Sequence, residues 1–222
     1  LSDFRLSYGN HTRFKGDLNI SGLPDIGTAF VHFNAKEISC SYFDLINIPA
    51  YPFSSGQKIA VPGELKKFGV VSYRGKFDGF VNDFTTYGRF NTALGKIDSR
   101  LNVKLGKKAE DISYSGKIST ENFYLGELFG LQTLKGLSLN CEIKGKGIDI
   151  RSLDASLEGN VQQLTYNGYA YHNIRLNGSI SHEVFTGLLA SADPNADFDF
   201  NGTINFNNKV PEMDFISTIN RL

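Results

Sequence analysis

Tryptophan is absent from these 222 residues, methionine occurs once, and there are only two cysteines and six prolines. Charge of one sign is lacking too: 23 basic residues stand against 23 acidic ones, so no long-range field draws the chain to nucleic acid. No apolar run approaches the roughly 18 residues of a membrane-spanning helix. The four histidines, His11, His32, His172 and His182, show no metal-ligand spacing. A Gly-x-Ser-x-Gly elbow, a phosphate loop and a dinucleotide fingerprint are all missing. Asp193-Pro-Asn195-Ala-Asp197-Phe-Asp199 spaces oxygen donors two apart but lacks the closing Glu of a calcium loop, and reads as a capped turn. These absences leave no argument for an enzyme, a metal or a cofactor.

What is abundant is phenylalanine, tyrosine and glycine, 18, 10 and 23 residues respectively, and this mix points to an all-β protein. Apolar and polar residues alternate over most of the chain, the period of a strand with one oily face. Glycines repeatedly take an apolar slot: Ile174-Arg-Leu176-Asn-Gly178-Ser-Ile180 and Phe198-Asp-Phe200-Asn-Gly202-Thr-Ile204-Asn-Phe206 are the clearest cases. Phe14-Lys-Gly16-Asp-Leu18-Asn-Ile20, Tyr73-Arg-Gly75-Lys-Phe77-Asp-Gly79 and Phe185-Thr-Gly187-Leu-Leu189 repeat the signature. A glycine there removes volume from the oily face, which permits curvature and leaves space for a guest. Cys40 and Cys141 share the apolar phase and read as small buried hydrophobes, a disulfide being the alternative.

Turn signals divide the pattern. Gly22-Leu-Pro24-Asp-Ile-Gly27 is a strong turn, and the proline-rich stretch at about 43–69 interrupts the alternation, with room for a short helical turn around Asp44 to Asn47 or Gly63 to Phe68. Asn122 to Gly130 is expected to be a turn-rich connection, too short and glycine-punctuated for a helix. Asn177-Gly178 and Asn201-Gly202 lie inside unbroken alternation and read as in-strand; Asn167-Gly168 is left open between strand and hairpin turn. Residues 1–222 are taken as a single β-rich fragment of a larger protein.

The order of several motifs resembles the TamB family of the AsmA-like superfamily. These are Leu157-Glu-Gly-Asn-Val161, Leu164-Thr-Tyr-Asn-Gly-Tyr169, Tyr171-His-Asn-Ile-Arg-Leu-Asn-Gly178, Phe185-Thr-Gly187 and Asp193-Pro-Asn195, with Val71 to Gly79, Phe84 to Gly88 and Phe123 to Gly130 upstream. The resemblance covers the chain from about residue 65; the first 64 residues share only strand character. It implies a periplasmic segment of a long inner-membrane-anchored protein of outer membrane biogenesis in double-membraned, Gram-negative bacteria. It also implies a barrel partner of the TamA or BamA type in the outer membrane, and no catalytic residues.

The expected architecture is therefore a long, curved, taco-like (U-shaped) antiparallel or mixed β-sheet with an open hydrophobic groove. Phe14, Leu18, Ile20, Tyr73, Phe77, Ile174, Leu176, Ile180, Phe185, Phe198, Phe200, Ile204 and Phe206 are expected to line it. Phospholipid acyl chains are the expected cargo, shielded on passage between inner and outer membrane. Two alternatives stand beside this: a chaperone-like groove assisting assembly of outer-membrane barrels, and a surface β-sandwich that binds glycan or protein.

Overall fold

A computed structural model describes residues 1–221 apart from 26, 48–62, 107, 150, 195 and 209. Thirteen strands follow one another: β1 (Phe4–Tyr8), β2 (Thr12–Ser21), β3 (Phe30–Ser41), β4 (Val70–Phe80), β5 (Asp83–Thr92), β6 (Gly95–Lys104) and β7 (Ser113–Tyr124). They continue with β8 (Leu134–Lys146), β9 (Asp154–Tyr166), β10 (Tyr169–Ser181), β11 (Val184–Asp193), β12 (Ala196–Asn205) and β13 (Glu212–Arg221). Each pairs antiparallel with its successor, so the order across the sheet is the order along the chain. The all-β expectation holds, with no parallel pair among the described strands. Among the described residues the sheet is single, open and uncurled, without the expected U-shaped curl or groove, and no second sheet packs on it to make a sandwich.

Alternation at period 2 fixes the register so firmly that one row of paired residues can be followed across every strand. It runs Leu6, Phe14, Ile38, Tyr73, Phe90, Ile97, Thr120, Leu139, Val161, Ile174, Ser191, Phe198, Ile219. Eleven of these thirteen are hydrophobic, so one whole face of the sheet is apolar. The buried centre of that face is Leu137, Leu139, Cys141, Val161 and Ile174. Bulges, as between Ala35 and Ile38, shift the pairing without moving the apolar phase to the other face.

The opposite face holds the charges as cross-strand pairs. Arg89 donates to Asp98 from both Nε and a terminal nitrogen, at 2.8 and 2.9 Å, and Lys104–Asp83, Lys96–Glu121 and Lys117–Glu142 span 2.9, 3.1 and 3.1 Å. All are exposed, so each is worth at most about 1 kcal/mol. They guard the register more than they stabilise the fold.

Short helical pieces close the gaps. Helix α1 (Tyr42–Leu45) follows β3 directly, and a 3₁₀ turn spans Gly63–Phe68, so helical turns form on both sides of the proline-rich stretch. Pro49, Pro52 and Pro62 lie outside the described residues. The Ser41 hydroxyl caps α1 by accepting from the Asp44 N–H at 3.2 Å. The Asp44 carboxylate then accepts from the His11 N–H and the Thr12 hydroxyl, at 2.9 and 3.0 Å, and ties the β1–β2 hairpin to the helix.

The connection at 122–130 differs from expectation. Strand β7 runs on to Tyr124 and a single-turn helix, α2 (Leu125–Phe129), follows, stopped by Gly130 in the left-handed conformation, φ 72°. One turn is too little for periodicity to reveal. What holds it is packing, because Leu125 lies against the apolar centre of β8–β10. Asn167 and Gly168 both have positive φ, 49° and 86°, and form the tight turn between β9 and β10. Asn177-Gly178 and Asn201-Gly202 are within β10 and β12.

Candidate functional site

Twelve of the thirteen residues expected to line a groove fall on the apolar face; Phe206 lies one residue past the end of β12. They form two groups. Phe14, Leu18, Ile20, Tyr73 and Phe77 lie on β2 and β4, while Ile174, Leu176, Ile180, Phe185, Phe198, Phe200 and Ile204 lie on β10–β12. Five strands, β5–β9, separate the groups, and their apolar residues carry the same face between them. Tyr73, Ile174, Phe185 and Phe200 are buried and the other nine are half-buried.

Rings stack along this face: Tyr73 with Phe90 at 4.6 Å, Phe77 with Phe84 at 4.3 Å and Phe200 with Phe215 at 4.6 Å between centroids. Its few polar atoms are satisfied internally. The Tyr73 hydroxyl lies 2.7 Å from the Thr86 hydroxyl and within 3.0 and 3.2 Å of the Lys76 and Tyr87 carbonyl oxygens, either of which can accept its one proton, and burial raises its pKa. Burial alone pushes the Cys141 thiol up to about 11, and chiefly burial takes Tyr114 up to about 12. Both cysteines are free, on β3 and β8. Burial thus raises Tyr73, Tyr114 and Cys141 together on this face.

The glycines of the apolar phase do not leave space for a guest where strands cross them. A Cβ on Gly75 would lie 2.6 Å from the Gly88 Cα and 2.6 Å from the Tyr73 hydroxyl, and one on Gly178 would lie 2.7 Å from the Phe185 ring. The vacated volume is taken by the backbone of the next strand and by a ring one register step away. These glycines let strands approach closely, and the aromatic rings cover the bare backbone.

A concavity of about 1260 Å³ extends over β3–β9. Its lining follows the polar phase, with Lys36, Arg74, Lys76, Tyr87, Arg89, Arg100, Lys117, Glu142 and Glu158 among the side chains. Bare or small positions, Ala35, Gly75, Gly88, Ser99 and Gly159, lie between them. Tyr73 is the one residue of the expected lining that borders it. Sequence reasoning missed this site because the polar phase was taken as a solvated surface; only register shows that Arg74 stands opposite Arg89 and Arg100 opposite Lys117.

A third constellation is the buried Asp193, 2 % exposed, at the end of β11. Its carboxylate accepts from the Tyr169 hydroxyl at 2.9 Å and from the His172 backbone N–H at 3.0 Å. It was expected as part of a turn. It locks the first residues of β10 against β11, and no metal-holding cluster forms around it among the described residues.

No family model, curated protein or solved structure matches this chain.

Proposed function

We propose that this chain is a shielding segment for lipid acyl chains, its apolar face covering the hydrocarbon as phospholipid passes between two membranes. The observation that carries the reading is the apolar row running unbroken in register over thirteen strands, with only the short helix α2 packed on its centre among the described residues. A single sheet with one oily face needs an apolar companion. A sixteen-carbon chain taken through water costs about 0.8 kcal/mol per methylene, about 12 kcal/mol in all, and a continuous apolar strip removes most of that barrier. Movement along such a strip needs no chemistry.

The resemblance to the TamB family supports the same reading and supplies its setting: a periplasmic segment of an inner-membrane-anchored protein, with a TamA- or BamA-type barrel as partner. The groove is what the resemblance implies in that setting; the sheet of this chain is itself open and uncurled. A role in holding strands of outer-membrane barrel clients is the second reading, favoured by β13. That edge strand leaves Met213, Phe215 and Ile219 about half exposed and Ile216 82 % exposed, a template for an added strand.

The test is mass spectrometry of lipid extracted from protein purified without detergent. Co-purifying phospholipid, lost on placing Arg at Leu176 or Phe198, is the expected result. A folded protein that carries no lipid and gains none from vesicles overturns it.

A further inference from the structure

The polar face carries a site of its own, independent of the apolar one. Cations enter the 1260 Å³ concavity from adjacent strands: Arg74 and Lys76 on β4, Arg89 on β5, Arg100 on β6 and Lys117 on β7. Register sets Arg74 directly opposite Arg89 and Arg100 directly opposite Lys117, an arrangement that costs stability in the absence of a counter-ion. Other basic side chains of this face have carboxylates, as Lys36 at the β3 end of the concavity has Asp17 and Lys104, outside it, has Asp83. Within the concavity Arg89 is held by Asp98 and Lys117 by Glu142. Arg74, Lys76 and Arg100 pair with no carboxylate of a described residue.

Two of these three are already positioned. Arg74 donates through Nε to the Lys36 backbone carbonyl at 2.9 Å, which orients its guanidinium and leaves the terminal nitrogens for another acceptor. The Arg100 guanidinium lies over the Tyr87 ring, 5.0 Å from its centroid. A guanidinium fixed in advance loses less entropy when it grips an oxyanion with two parallel hydrogen bonds. Of the acids of the concavity not engaged by Arg89, Glu37 lies on β3, while Glu142 and Glu158 lie on β8 and β9, directly opposite each other.

We propose that Arg74, Lys76 and Arg100 form an oxyanion-binding site that takes a phosphate-bearing ligand, with the exposed Tyr87 ring as a wall against its organic part. Phosphate fits better than a carboxylate because three cations without carboxylate partners line the same concavity, more positive charge than one carboxylate offsets. The volume exceeds that of a bare ion, so the natural ligand is an organic phosphate, whether a free metabolite or the headgroup of a lipid.

Titration with pyrophosphate at low ionic strength, followed by the arginine Nε–H resonances in NMR, tests the site. Saturable shifts at Arg74 and Arg100 with a Kd below about 1 mM are expected. The double variant Arg74→Gln/Arg100→Gln weakens binding at least about tenfold, whereas the charge-matched Lys135→Gln/Lys144→Gln, outside the concavity, leaves it intact. Orthophosphate and glycerol 3-phosphate as further probes separate the sources: equal affinity marks a free-phosphate site, and tighter glycerol 3-phosphate marks a headgroup site. No saturation, or equal weakening in both double variants while circular dichroism shows each folded, overturns the proposal.

Discussion

Gly75 and Gly88 face each other across β4 and β5 so closely that neither has room for a methyl group. A Cβ on Gly88 would lie 2.5 Å from the Arg74 carbonyl oxygen and 2.6 Å from the Tyr73 ring. Gly88→Ala must push backbone or an anchored ring aside, and about 2–3 kcal/mol of stability is expected to be lost. Gly63, with nothing among the described residues within 4 Å of its Cβ position, is the control: Gly63→Ala changes stability by less than about 1 kcal/mol. Urea denaturation of the two variants compares them.

Asp193 predicts a second large effect. Asp193→Ala removes the carboxylate that accepts from the Tyr169 hydroxyl and the His172 N–H and empties a buried position, and is expected to cost about 2–3 kcal/mol. Amide exchange at His172, followed by NMR, should accelerate more than exchange in β4 or β5. Equal acceleration everywhere would contradict a local lock.

Acid sensitivity follows from Asp44. Its pKa lies below the ordinary 3.8 chiefly because the His11 N–H donates to the ionised carboxylate, with further help from Thr12 and Asn10. A depressed folded-state pKa means a contribution fully present above the unfolded value and lost as pH falls through the folded one. Asp44→Asn should therefore lower the thermal midpoint at pH 6 and matter progressively less below about pH 4. A constant difference from pH 6 to pH 2 would rule out this linkage.

Both thiols should be sluggish. Burial lifts Cys141 to about 11 and also raises Cys40, so neither is appreciably thiolate at pH 8. Iodoacetamide is expected to label the native protein far more slowly than the urea-unfolded chain, Cys141 the slower of the two. Fast labelling of native Cys141 would show that the apolar face opens readily.

The outer edge of β13 should make the protein sticky. Ile216→Lys places a charge on the exposed edge strand without disturbing a buried contact, and is expected to reduce concentration-dependent self-association while leaving the melting temperature nearly unchanged. Sedimentation velocity over a range of concentrations reads it directly.

Much of this fold was legible in the residues because the strands are long and their phase slips only at a few bulges, as between Ala35 and Ile38. Phe198, Phe200 and Ile204 announced an apolar face, and unbroken alternation through Asn177-Gly178 and Asn201-Gly202 placed those dipeptides in strands. Helix α2 was not legible, since one turn held by the Leu125 contact has no periodic signal. Nor was the role of the glycines: a missing side chain looks the same in sequence whether a guest or the next strand fills the gap. The Arg74–Arg89 and Arg100–Lys117 juxtapositions were hidden more deeply, because opposition is a property of pairing and appears only once register is known.

Because each strand pairs only with its neighbours in sequence, width and chain length are proportional in this molecule. At about 4.8 Å per strand, the thirteen span roughly 60 Å along the hydrogen-bonding direction, and each added hairpin would extend that by about 10 Å with no change in topology. Reach can then be altered in evolution, or by design, through duplication of a single hairpin. Loss of stability at one seam should likewise stay local, as in a ladder whose rungs are fastened only to the next.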